Sequence, residues 1–105
     1  MGTSVDYAKA FKCYEKAVAM KSRPGILQMA RLLASGMGCR QDTAKAFALV
    51  SELAAQGEKN SCYELGRFYE NGIGTLIYMD KAKAWYKKAA EQGQLDAKAA
   101  LERLG

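Results

Sequence analysis

The side chains able to do chemistry are few, and their spacing argues against catalysis. The chain has no histidine and three cysteines, Cys13, Cys39 and Cys62. Without histidine the commonest general base is missing. A zinc site would then need a cluster of cysteines or carboxylates, and none is visible. An odd number of cysteines at unrelated spacings is a poor disulfide framework and favours a reducing, cytoplasmic compartment. Cys13 is expected to be a buried thiol. Cys39 lies in a glycine loop and is the one exposed candidate for redox or metal chemistry.

Two glycine pairs, Gly36-Met37-Gly38 and Gly72-Ile73-Gly74, resemble phosphate loops only in passing. They lack the third glycine and follow helical patterns instead of strands, so they are expected to end helices. Trp85-Tyr86 could suggest a ligand cage, but core packing is the expectation for both. No cofactor or metal is implied. The lysines Lys9, Lys12 and Lys16, and later Lys83, Lys87 and Lys88, contribute to a net charge of +5. Acidic residues interleave and no base-stacking platform accompanies them, which favours a solvated surface over nucleic-acid binding.

What must position these residues is a repeat. Shifting the chain by 36 positions superposes Gly36, Gly38, Lys45, Ala46, Ala48, Ala54, Gln56, Gly57, Leu65 and Arg67 on identical residues, from Gly72 through Arg103. Ordinary residue usage would produce about two such matches over this overlap. Asp6, Lys9 and Ala10 extend the register backwards onto Asp42, Lys45 and Ala46. Trp85-Tyr86 falls on Leu49-Val50 and on Cys13-Tyr14.

Each period contains two helical patterns. Ala46, Leu49, Val50, Leu53 and Ala54 share one face, as do Cys62, Leu65, Gly66 and Tyr69. The predicted helices span about 6–21, 24–35, 42–56, 60–71, 80–92 and 96–104, with Asp42 and Asn60 as N-caps, Pro24 in a first turn and Gly57 and Gly72 as stops. Half of the residues are apolar, a quarter are charged, proline occurs once, and valine and isoleucine are scarce. This composition fits a globular all-α domain. No apolar run is long enough to span a membrane. No secretory leader opens the chain, and residues 1–5 are expected to be disordered or tag-like.

The segments Gly72-Ile73-Gly74, Lys81-Ala82 and Trp85-Tyr86-Lys87-Lys88-Ala89-Ala90-Glu91-Gln92-Gly93 closely resemble the signature of the Sel-one-like repeat family, a relative of the tetratricopeptide repeats. Leu65-Gly66 and Tyr69-Glu70-Asn71-Gly72 match its first-helix part. The resemblance implies a right-handed α-α superhelix: half repeat 6–23, repeats 24–59 and 60–95, and half repeat 96–105. It also implies a non-catalytic scaffold, of the kind that assembles bacterial host-interaction or eukaryotic protein-degradation complexes, with first helices lining a concave face. A basic nucleic-acid-binding repeat and a structural module of a larger protein are the alternatives.

On that face fall Leu27, Gln28, Arg31, Asn60, Tyr63, Glu64, Arg67 and Arg103. Arg31, Arg67 and Arg103 recur in register and would form a ladder for an acidic peptide or another protein. The segment Leu76, Ile77, Tyr78 and Met79 is apolar where the preceding repeat has Arg40-Gln41-Asp42-Thr43. It is either a contact loop or a flap folded back onto Trp85 or the neighbouring helix. Asp80 is expected to replace the missing cap and lengthen the loop. End helices without neighbours would expose apolar surface and favour self-association.

Overall fold

In a computed structural model, residues 12, 15, 16, 22–36 and 40–105 are described. They contain five α-helices and no strand: α1 (Arg23–Ser35), α2 (Thr43–Ala55), α3 (Lys59–Asn71), α4 (Met79–Glu91) and α5 (Leu95–Leu104). Most of the first predicted helix, with Lys9 and Cys13, lies outside the described residues, as do Gly38 and Cys39. Lys12, Lys16, Lys83, Lys87 and Lys88 are exposed, as a solvated surface requires.

The helix ends follow local chemistry. Pro24 sits in the first turn of α1, where its missing N–H costs nothing. Gly36 and Gly72 end α1 and α3 in the left-handed region, with φ of 76° and 69°. The Asp42 carboxylate accepts from the Lys45 N–H at 3.0 Å and opens α2. Two caps differ from expectation. Glu58, not Asn60, caps α3, because the helix already begins at Lys59, and the Glu58 carboxylate accepts from the Ser61 N–H at 2.6 Å. The loop before α4 is not lengthened. The helix starts at Met79, 36 residues after Thr43, with Tyr78 at the cap position and Asp80 already inside the first turn. There Asp80 lies near the positive end of the helix dipole without capping it. The backbone anchors the loop, through a hydrogen bond from the Tyr78 N–H to the Tyr69 carbonyl at 3.0 Å.

Each helix packs against its sequence neighbours, α1 on α2, α2 on α3, α3 on α4 and α4 on α5. The chain is an all-α repeat solenoid. Small residues at the seams allow close approach. Ala30, Ala46, Ala54, Ala82, Ala89 and Ala97 are fully buried. The repeats solve the same volume problem differently. Positions 30 and 50 hold alanine and valine; their equivalents 66 and 86 hold glycine and tyrosine. A Cβ at Gly66 would lie 2.6 Å from the Tyr86 ring, so that glycine makes room for the larger side chain. Trp85 is half-buried and Tyr86 fully buried, in agreement with the packing expectation. At the α5 end, Leu95 is exposed while Leu101 and Leu104 are half-buried.

Candidate partner-binding face

The first helices of successive repeats, α1, α3 and α5, lie side by side and are joined by polar side chains. Arg31 on α1 reaches Glu64 on α3, with Nε at 2.8 Å and Nη2 at 2.5 Å from Oε2. Arg67, one turn along α3, places Nη1 2.7 Å from the other carboxylate oxygen. Glu64 itself is 2% exposed, whereas the arginine side chains are 43% and 42% exposed. The expected position of Glu64, on the open face beside Arg67, is therefore corrected. Arg31 from α1 and Arg67 from its own helix both reach its carboxylate, so its charge is met inside the face while the two arginine side chains stay half-exposed.

Arg103 on α5 is arranged differently. It grips Glu70 in bidentate fashion, with Nη1 and Nη2 at 2.7 and 2.9 Å. The Tyr86 hydroxyl donates to the same carboxylate at 2.6 Å. The Arg103 hydrogen bond, and after it the Tyr86 one, holds the Glu70 carboxyl below its ordinary range. The arginine series therefore recurs in register, but two carboxylates interrupt it.

The remaining residues expected on this face divide into three groups. Leu27 is 6% exposed and belongs to the core, so it offers a partner only an edge. Gln28 and Tyr63 are half-buried, the latter with its ring centroid 5.7 Å from that of Tyr86. Asn60 is exposed, and its side-chain oxygen accepts from Gln94, the cap residue of α5, at 3.3 Å.

Two grooves flank the Arg31–Glu64 pair. One, of about 320 Å³, lies between Arg23, Pro24, Leu27, Gln28 and Arg31 of α1 and Glu58 and Asn60 at the start of α3. The other, of about 340 Å³, is lined by Arg31, Ala34, Glu64, Arg67, Phe68 and Ile73. Sequence reasoning missed Glu58 and Glu70. Nothing in the spacing separates a capping or bridging glutamate from a solvated one.

The loop Leu76 to Met79 does not fold onto Trp85. Leu76 and Ile77 are 71% and 60% exposed, Tyr78 and Met79 about half so. Tyr78 instead meets Tyr69 edge-on at 6.1 Å, and the Lys81 ammonium stands over both rings. Elsewhere, Cys62 is fully buried on the Ala54 carbonyl, and burial pushes its thiol pKa up, as for an inert core cysteine. No group of three potential metal ligands occurs among the described residues. No helix among them is long and apolar enough to cross a membrane.

The Sel1 repeat model matches residues 1–22, 24–58 and 59–94. Among solved structures, the fold is similar to a protective antigen of uropathogenic Escherichia coli strains that displays an SLR fold. That match has 31% identity and a TM-score of 0.83 over 94% of this chain and 21% of the antigen. A Sel1 repeat protein from Oxalobacter formigenes matches at 25% identity and a TM-score of 0.81, over 91% and 39%. Cysteine-rich protein B of Helicobacter pylori shares the fold at 24% identity and a TM-score of 0.77, over 92% and 73%. The chain thus spans about a fifth and two fifths of the first two proteins. No curated protein matches it. Sel1 repeats are generally protein-interaction modules and generally non-catalytic. With the repeat model matched along most of its length and the solenoid formed as those relatives form it, the chain belongs to the Sel1 repeat family.

Proposed function

We propose that the chain is a non-catalytic scaffold that binds a partner peptide or protein on the face built by α1, α3 and α5. The observation that carries this reading is the Arg31–Glu64–Arg67 arrangement. A buried carboxylate holds two half-exposed guanidinium groups in place, with an open groove on either side. Their rotamers are already restricted, so a partner loses less side-chain entropy on binding them. The exposed Leu76 to Met79 loop is a second, apolar contact surface.

Affinity capture with the intact chain, at low and high salt, tests the scaffold reading. The control carries Gln28→Glu and Asn60→Asp, which makes the first groove acidic without touching the triad. A protein partner is expected to persist at high salt and to be lost from the control, which melts at the same temperature as the parent. Capture of nucleic acid that washes off steeply with salt would support the basic nucleic-acid reading instead. Equal capture by the parent, by this control and by an Ala34→Glu variant in the second groove would exclude this face.

A further inference from the structure

The second groove combines a charge with an apolar floor, and the charge is unbalanced. Arg31 and Arg67 bring two positive charges to Glu64, which returns one. Both Glu64 oxygens are engaged, Oε2 by Arg31 and Oε1 by Arg67. Arg31 and Arg67, their side chains half-exposed, both line a space of about 340 Å³, whose walls also include Ala34, Ile73 and the buried Phe68. Neither neighbouring site draws two arginines onto one buried carboxylate. At α5, Glu70 already satisfies Arg103 in bidentate fashion. The groove at the start of α3 also holds two arginines, Arg23 and Arg31, beside one carboxylate, but that carboxylate, Glu58, caps the helix on the Ser61 N–H instead of joining the two guanidiniums.

We infer, resting on the scaffold reading above, that this groove receives the C-terminal residue of a partner polypeptide. Its carboxylate lies against Arg31 and Arg67, and its apolar side chain covers Ala34 and Ile73, with buried Phe68 beneath them. A single carboxylate brings the cluster to two positive and two negative charges. A planar fork of N–H donors suits it better than a point charge would. A C-terminal residue is the one place where a polypeptide carries a carboxylate and a side chain on the same Cα. That matches a groove whose cationic rim and apolar floor share one small volume. A phosphate dianion would over-neutralise the pair and leave the apolar wall uncovered.

The test uses the full chain and a randomised heptapeptide pool synthesised twice, once with free C-terminal carboxylates and once amidated. Retained peptides are read by mass spectrometry. The expected result is retention of free-acid peptides ending in apolar residues, roughly tenfold or more over their amides. Two variants, with folding checked by thermal melting, follow. Arg67→Gln leaves Glu64 paired with Arg31. Ala34→Glu supplies a competing carboxylate from within the groove and leaves the triad intact. Either, if folded, should bring free-acid retention down to the amide level. Equal retention of the two pools, retention of neither, or undiminished retention by folded Ala34→Glu overturns the inference. A chain that fails here but still captures a protein partner sensitive to Gln28→Glu and Asn60→Asp retains the scaffold reading. One that captures nothing loses both.

Discussion

Glu64 holds Arg31 and Arg67 in place while exposing almost none of itself. Removing its partners one at a time and together reveals what it does. Arg31→Ala or Arg67→Ala leaves the carboxylate one guanidinium, and each should cost about 1 kcal/mol or less, as for a half-exposed pair. Both together strand a buried charge and should cost about 3–5 kcal/mol, well beyond the sum. Denaturant melts of the four proteins measure this; additive losses would mean that Glu64 finds solvent. Glu70 gives a second test at this scale. Its carboxyl is held low in the folded state, by Arg103 first and Tyr86 second. It therefore takes up a proton more readily when unfolded. Its stabilisation is complete above the unfolded value of about 4.3 and drains away as pH falls through the lower folded one. Tyr86→Phe deletes one of the two donors, so the acid limb of the melting-temperature profile should become shallower below about pH 5. Superimposable limbs would rule this out. The recurring arginines were legible from the 36-residue register. The burial of Glu64 was not, because the periodicity of one helix does not say which neighbouring helix will lie across it.

At the scale of elements, the glycine loop before α4 separates anchoring from display. Gly74 has a φ of 71°, and a Cβ there would collide with the Thr43 carbonyl and lie 2.7 Å from the Phe47 Cβ. The loop is thus seated on the start of α2 by its backbone, while Leu76 and Ile77 project outward. Gly74→Ala should destabilise by about 1–3 kcal/mol, from both the backbone conformation and the clash. Leu76→Asp should change stability by less than about 0.5 kcal/mol. Thermal melts of the two variants would contradict this assignment if their order were reversed. Helix positions could be read from apolar spacing and glycine stops, because those reflect local rules. The start of α4 could not. Asp80 is a good cap by type, but register with the preceding repeat and the Tyr78–Tyr69 backbone hydrogen bond set the first turn earlier. The exchange of Ala30 and Val50 for Gly66 and Tyr86 was also hidden, since a volume trade between two helices leaves no trace in either alone. Gly66→Ala, ordinarily favourable inside a helix by about 1 kcal/mol, should here destabilise by about 1–3 kcal/mol.

At the scale of the molecule, the layering of α1, α3 and α5 separates a face of carboxylate-held arginines from an outer layer, where Lys83, Lys87 and Lys88 are exposed. Site-specific photocrosslinking asks directly which of the two surfaces meets a partner. A photoreactive residue is placed at Gln28, at Asn60 or at Lys87, and adducts formed in a lysate are identified by mass spectrometry. Protein adducts from positions 28 and 60, with none from 87, are the result expected of a scaffold that binds through its first helices. Adducts from position 87 alone, or adducts consisting of nucleic acid, would contradict it.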